Sequence, residues 1–189
     1  MNKRVLFVYG YGGSPASPMC GLLRDLLPAD RFEVVSYTYP QEDCAKAVAF
    51  LNAKLASEPF DLVVGTSLGA FVTLCLDTDR PRFVVNPCLS ALTELPKLTP
   101  RPDHPDDVQP SPEMVETYRP FEERLLAANH ESEDITGFFA ENDELFGSKY
   151  LEPFKERFGA VVRIPGTHHG NRPGMRQVAG HIASRPDLQ

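Results

Sequence analysis

Six short apolar runs punctuate the chain, and helical patterns fill the gaps between them. Val5-Leu6-Phe7-Val8-Tyr9 is continuous rather than alternating, the pattern of a strand buried on both faces. Phe32 to Tyr37, Leu62 to Val64, Phe83 to Asn86, Ile135 to Ala140 and Ala160 to Ile164 read as the other strands. Between them, Met19, Leu22, Leu23, Leu26 and Leu27 share one face of a helix from about Pro18 to Leu27. Cys44, Val48, Leu51 and Leu55 recur at helical spacing over Glu42 to Ser57, with Glu42 and Asp43 expected in its first turn, where the helix dipole favours negative charge. A third helix should run from Leu68 to about Leu76. Ser111-Pro112-Glu113 reads as a helix start, N-cap then proline, and Pro120 is where that helix could break. Two more helices are expected over about Ser148 to Phe158 and Pro173 to Ala183.

Strands alternating with helices predict a mostly parallel sheet of about six strands, wound by right-handed crossovers with helices on both faces. In such sheets ligands bind at the carboxyl ends of the strands. Neither a repeat nor a second domain is visible, so residues 1–189 are expected to form one domain. Nine of the 18 prolines cluster between Pro81 and Pro120, and the excursion over about 88–130 reads as a cap or lid inserted after one strand. Its Leu89, Leu92, Leu95 and Leu98 either line a pocket or anchor the excursion to the sheet.

Composition narrows the function classes. A formal net charge of −7 on 189 residues disfavours nucleic acid and anionic membrane surfaces as partners, since both attract basic patches. Cys20, Cys44, Cys75 and Cys88 form no close pair, as expected of core residues in a reduced, cytoplasmic chain. The apolar run after Met1-Asn2-Lys3-Arg4 is too short for a signal sequence, and no stretch approaches a membrane span.

Chemistry enters at Gly65-Thr66-Ser67-Leu68-Gly69. A Gly-x-Ser-x-Gly pentapeptide is common by chance, and the bland alternative is a small-residue turn where a helix packs close to a sheet. With an apolar strand before it and a helix after it, the pattern meets the context of a nucleophile elbow. Serine is a poor nucleophile at neutral pH and needs a histidine to take its proton and a carboxylate to orient that histidine. Ser67, Asp143 and His168 each lie just past the carboxyl end of a predicted strand, in that chain order. Glu141 and Glu144 stand beside Asp143 as alternatives, and His169 beside His168. Acyl transfer also needs two backbone N–H donors for the oxyanion. Leu68 follows the serine, and Tyr11 lies in the exit loop of the first strand. Dinucleotide binding by that loop fails on pattern, because the third glycine would fall on Pro15. A metal role for His168-His169 lacks further ligands at suitable spacing, no cofactor is expected, and His104, His130 and His181 take no role.

Taken together, these segments resemble the small YqiA/YcfP-like esterases, a compact branch of the α/β-hydrolases. Tyr9-Gly10-Tyr11-Gly12-Gly13-Ser14-Pro15 looks like their His-Gly-Phe-x-Ser-Ser-Pro loop, and Gly65 to Phe71 is similar to their serine elbow. Asn86-Pro87-Cys88-Leu89, Asn142-Asp143-Glu144 and Pro165-Gly166-Thr167-His168 resemble their Asn-Pro-Ala, Gly-Asp-Glu and Gly-Gly-x-His motifs. Tyr9 replaces the family's histidine, Ala70 replaces a glycine, and His169 stands where a small or apolar residue is common. The resemblance implies a minimal three-layer α/β-hydrolase fold with Ser67, Asp143 and His168 as triad. It implies a serine esterase or thioesterase acting on a small acyl substrate. Two other readings stand beside it: a non-catalytic homologue that binds a ligand or protein partner, and a flavodoxin-like domain with a coincidental serine turn.

Overall fold

A computed structural model of the chain describes residues 2–99, 109–127, 130 and 134–188. Residues 100–108, the middle of the proline-rich excursion with its His104, lie outside the described residues. Six strands, β1 (Lys3–Val8), β2 (Phe32–Val35), β3 (Leu62–Thr66), β4 (Arg82–Val85), β5 (Ile135–Ala140) and β6 (Ala160–Ile164), form one sheet in the order β2-β1-β3-β4-β5-β6. All five pairings are parallel. The apolar runs form the middle of the sheet because each residue there must be apolar on both faces: β3, β4 and β5 are buried throughout.

The helices cover both faces. α1 (Pro18–Leu26) packs on α7 (Arg172–Ser184), while α2 (Cys44–Ser57) packs on α3 (Leu68–Leu74) and α5 (Pro112–Ala127). The short α4 (Ala91–Glu94) also packs on α5. Consecutive residues of β5 show the two layers, since neighbours in a strand point to opposite faces. Phe138 meets the His181 ring of α7 at 5.3 Å, and Phe139 meets Phe154 of α6 (Leu151–Phe158) at 5.4 Å.

Register is what positions the site. Val8 stands opposite Gly65, Thr66 opposite Val85, Val85 opposite Phe138, and Ala140 opposite Ile164. The carboxyl ends of five strands are therefore nearly level, and their exit loops meet along one edge.

Several boundaries differ from the pattern reading. β2 stops at Val35, because the Ser36 hydroxyl donates to the Phe7 carbonyl (2.8 Å) and a side chain makes the next link between the strands. Asp43 is the N-cap of α2, its carboxylate accepting from the Lys46 N–H (3.0 Å), so Glu42 and Asp43 precede the helix rather than occupy its first turn. α3 ends at Leu74, and Asn86 leaves β4 with a φ of 46°. α5 runs unbroken through Pro120, which sits on the exposed face where water can serve the carbonyl left without an N–H. α6 begins at Leu151, because residues 144–150 are turns, closed in part by the Gly147 N–H on the Asp143 carbonyl (2.9 Å). Leu89 and Leu95 are buried in the core, and Leu92 and Leu98 pack against it.

Candidate active site

Ser67 sits between β3 and α3 with φ 53° and ψ −121°, a conformation that a non-glycine residue adopts only where its surroundings enforce it. The enforcement comes from both flanking glycines. A Cβ on Gly69 would run into the backbone carbonyls of Val8 and Tyr9, and one on Gly65 would run into Thr73 Oγ1 and lie 2.8 Å from Ala70 Cα. No larger residue fits either place, so α3 lies directly on the ends of β1 and β3. The serine N–H is held by the Val85 carbonyl (3.0 Å), and its own carbonyl accepts from Cys88 N–H (3.2 Å). The Cys88 side chain is buried, and burial pushes its thiol pKa up.

The structure brings the three sequence-predicted side chains together. His168 Nε2 lies 3.0 Å from Ser67 Oγ, and His168 Nδ1 lies 3.1 Å from both carboxylate oxygens of Asp143. Proton placement follows from partners: Nδ1 facing a carboxylate must carry a proton, which leaves Nε2 free to accept one. The side chains of His168 and Asp143 are 2% and 3% exposed, so this bond is shielded from water. Asp143 Oδ1 also accepts from the backbone N–H groups of Leu145 (2.9 Å) and Phe146 (2.8 Å). Burial pushes the Asp143 carboxyl up, but the bonds from His168, Phe146 and Leu145 together outweigh it and hold the group below the usual carboxylate range. The Phe146 ring meets the His168 ring edge to face at 4.5 Å.

The neighbours left open by the sequence fall elsewhere. Glu141 is exposed, and His169 is exposed with its Nε2 3.9 Å from Glu144 Oε1. Glu144 plays a backbone role, its Oε2 accepting from the His168 N–H at 2.7 Å. The loop of Gly10 to Gly13 lies over the serine: a Cβ on Gly10 would sit 3.1 Å from Ser67 Cβ and 3.5 Å from its Oγ. Leu68 opens α3, so its N–H has no acceptor within the helix.

Asn86 had only a motif likeness to mark it. Its Nδ2 donates to the carbonyls of Thr167 (3.2 Å) and His168 (2.9 Å), and its Oδ1 accepts from the Ala140 N–H (2.8 Å). One buried amide thus joins the exits of β4, β5 and β6. The signal available was an asparagine directly after a buried strand, the residue besides glycine that best tolerates positive φ.

No family model matches the chain, and no curated protein does. Solved structures do. Est1E from Butyrivibrio proteoclasticus superposes with a TM-score of 0.74 at 14% identity, over 96% of this chain and 86% of that one. A protein of alpha/beta hydrolase fold from Burkholderia ambifaria gives 0.67 at 13%, over 98% and 91%. The fold is that of the α/β-hydrolases. The ydeN gene product of B. subtilis gives 0.66 at 15% identity, over 97% and 98%. Within this α/β-hydrolase fold, the described residues contain no group of three or more His, Cys, Asp and Glu placed to hold a metal ion. They also contain no helix long and apolar enough to cross a membrane.

Proposed function

We propose that the protein is a serine hydrolase that cleaves a small acyl ester or thioester through an acyl-enzyme. The observation that carries this reading is the continuous Ser67 Oγ–His168 Nε2, His168 Nδ1–Asp143 contact behind a serine of strained backbone. His168 Nε2 takes the Ser67 proton as Oγ adds to the substrate carbonyl. Asp143 keeps its charge and holds the imidazolium. The oxyanion that forms is met by the N–H groups of Leu68 and Tyr11. The adduct collapses, the departing alcohol or thiol takes the proton from His168, and water then repeats the sequence on the acyl-serine. The same reading places the chain with the YqiA/YcfP-like esterases in the cytoplasm, with the excursion over about 88–130 as cap. Its partner is a small acyl substrate, not nucleic acid or a membrane surface.

The test is hydrolysis of p-nitrophenyl esters of graded chain length by the wild-type protein and by Ser67→Ala, with fluorophosphonate labelling of both. We expect Ser67-dependent turnover that falls by at least ~10⁴-fold in the variant, and a label on Ser67 alone. Turnover that survives the substitution would end the proposal. A non-catalytic binding protein would show neither turnover nor label.

A further inference from the structure

Gln41 lies in the segment between β2 and α2 and belongs to none of the motifs above, yet its side chain spans the glycine loop. Its Nε2 donates to the Gly10 carbonyl (2.8 Å), and its Oε1 accepts from the Gly12 N–H (3.1 Å). The same Nε2 donates its other proton to the Tyr39 hydroxyl (3.1 Å), which itself donates to the Tyr9 carbonyl (2.6 Å). Only one orientation of the amide satisfies all three contacts, since Gly12 N–H only donates and Gly10 C=O only accepts. Gln41 is pinned in turn through its backbone carbonyl, which accepts from the Tyr118 hydroxyl of α5 at 2.7 Å. Tyr39 and Tyr118 are both buried.

These bonds decide the direction of two peptide planes. Gly13 N–H closes a turn onto the Gly10 carbonyl (3.1 Å), with Gly12 at φ 68° in its third position. That is the pattern of a type II turn, which differs from type I by a flip of the central peptide. The bond from Gly12 N–H to Gln41 Oε1 holds that peptide in the flipped state. In the preceding trans peptide, C=O and N–H point in opposite directions. With the Gly10 carbonyl tied to Gln41 and Gly13, the Tyr11 N–H must point the other way, and the Gly10 Cα of that peptide backs onto Ser67.

We infer that Gln41 is the positioning residue for the oxyanion loop: it sets the direction of the Tyr11 N–H. This rests on the hydrolase reading above. The test compares wild type, Gln41→Met, which keeps the volume without polar atoms, and Gln41→Glu, which keeps only the acceptor. Two quantities are read: turnover of p-nitrophenyl acetate per active site titrated by its burst, and solvent exchange of the Gly12 amide by NMR. We expect Gln41→Met to lose about 10²-fold in kcat per titrated site, the scale of one oxyanion donor. Its KM should move by less than about threefold and its Gly12 exchange should accelerate. Gln41→Glu should retain Gly12 protection and still lose turnover, because a carboxylate faces the Gly10 carbonyl. A purely structural role would lower the number of titratable sites and leave turnover per site unchanged, and that result would overturn the inference. Unchanged Gly12 exchange in Gln41→Met would overturn it too. Should the Ser67→Ala variant hydrolyse as fast as wild type, the hydrolase reading fails, while the Gly12 measurement still decides what Gln41 holds.

Discussion

The serine turn and the histidine loop sit on the same sheet edge but are built in different ways. The turn between β3 and α3 is set locally: Gly65 and Gly69 flank Ser67, and the Thr73 hydroxyl that meets the Gly65 position binds the Gly69 carbonyl at 2.8 Å. Its geometry is written within nine consecutive residues and the β1 end they pack against. The loop carrying His168 has a local turn of its own, the Gly170 N–H on the Thr167 carbonyl (3.0 Å) with Gly166 at φ 123°, but its ties to the rest of the site come from distant residues. It is held by Asn86, 82 positions earlier, and by Glu144 and Asp143, 24 and 25 positions earlier. Ser67 is placed by close packing, which tolerates no added atom. His168 is placed by a few directed hydrogen bonds, which can be removed one at a time without disturbing the core. Damage to the first region should therefore register as lost fold, and damage to the second as lost chemistry.

The largest effect should come from Gly69→Ala. Its methyl group meets two backbone carbonyls that cannot move without displacing β1. We expect a loss of about 3 kcal/mol or more in urea unfolding, with no soluble, site-titratable enzyme at elevated temperature. A variant as stable as wild type would show that the turn is not set by close packing.

Asp143→Asn should leave the fold and reduce kcat by about 10⁴-fold, because an amide no longer dictates the imidazole tautomer. The same variant carries a pH signature. The folded pKa of Asp143 lies below its ordinary value of 3.8, so its carboxylate stabilises the protein above that value and the contribution is lost as pH falls through the folded pKa. The wild-type urea midpoint should therefore drop more steeply than that of Asp143→Asn as pH is lowered from about 5 to 2. Parallel curves would show that the Asp143 bonds do not favour the ionised form.

Asn86→Ala should have a smaller effect on kcat, about 10²-fold, by releasing the His168 loop while Asp143 and Ser67 stay in place. Orphaning the Ala140 N–H costs about 1–3 kcal/mol, so a modest fall in the unfolding midpoint should accompany it. An unchanged kcat would show that Asp143 and Glu144 suffice to place the base.

The central strands were legible in the sequence because they must be apolar on both faces, and β5 matches its apolar run residue for residue; the edge strand β6, only partly buried, matches its run as well. The element ends were less legible, because side chains decide them: Ser36 ends β2 and Asp43 starts α2. A proline on the outer face of α5 interrupts nothing, and hydropathy alone does not say which face is outer.

By itself the chain determined the strand-glycine-serine-glycine-helix turn, since these parts are contiguous, and it determined the order of Ser67, Asp143 and His168 along one sheet edge. Tertiary structure decided what neighbouring residues could not. It brought Asp143 and His168 to Ser67 and left Glu141 and His169 exposed, with Glu144 on the His168 backbone, because the folded exit loops of β5 and β6 set which side chains reach inward. It also revealed Asn86 and Gln41 as the ties between loops. A hydrogen bond between positions 29 or 82 residues apart leaves no local spacing in the sequence, and only folding brings its two ends together.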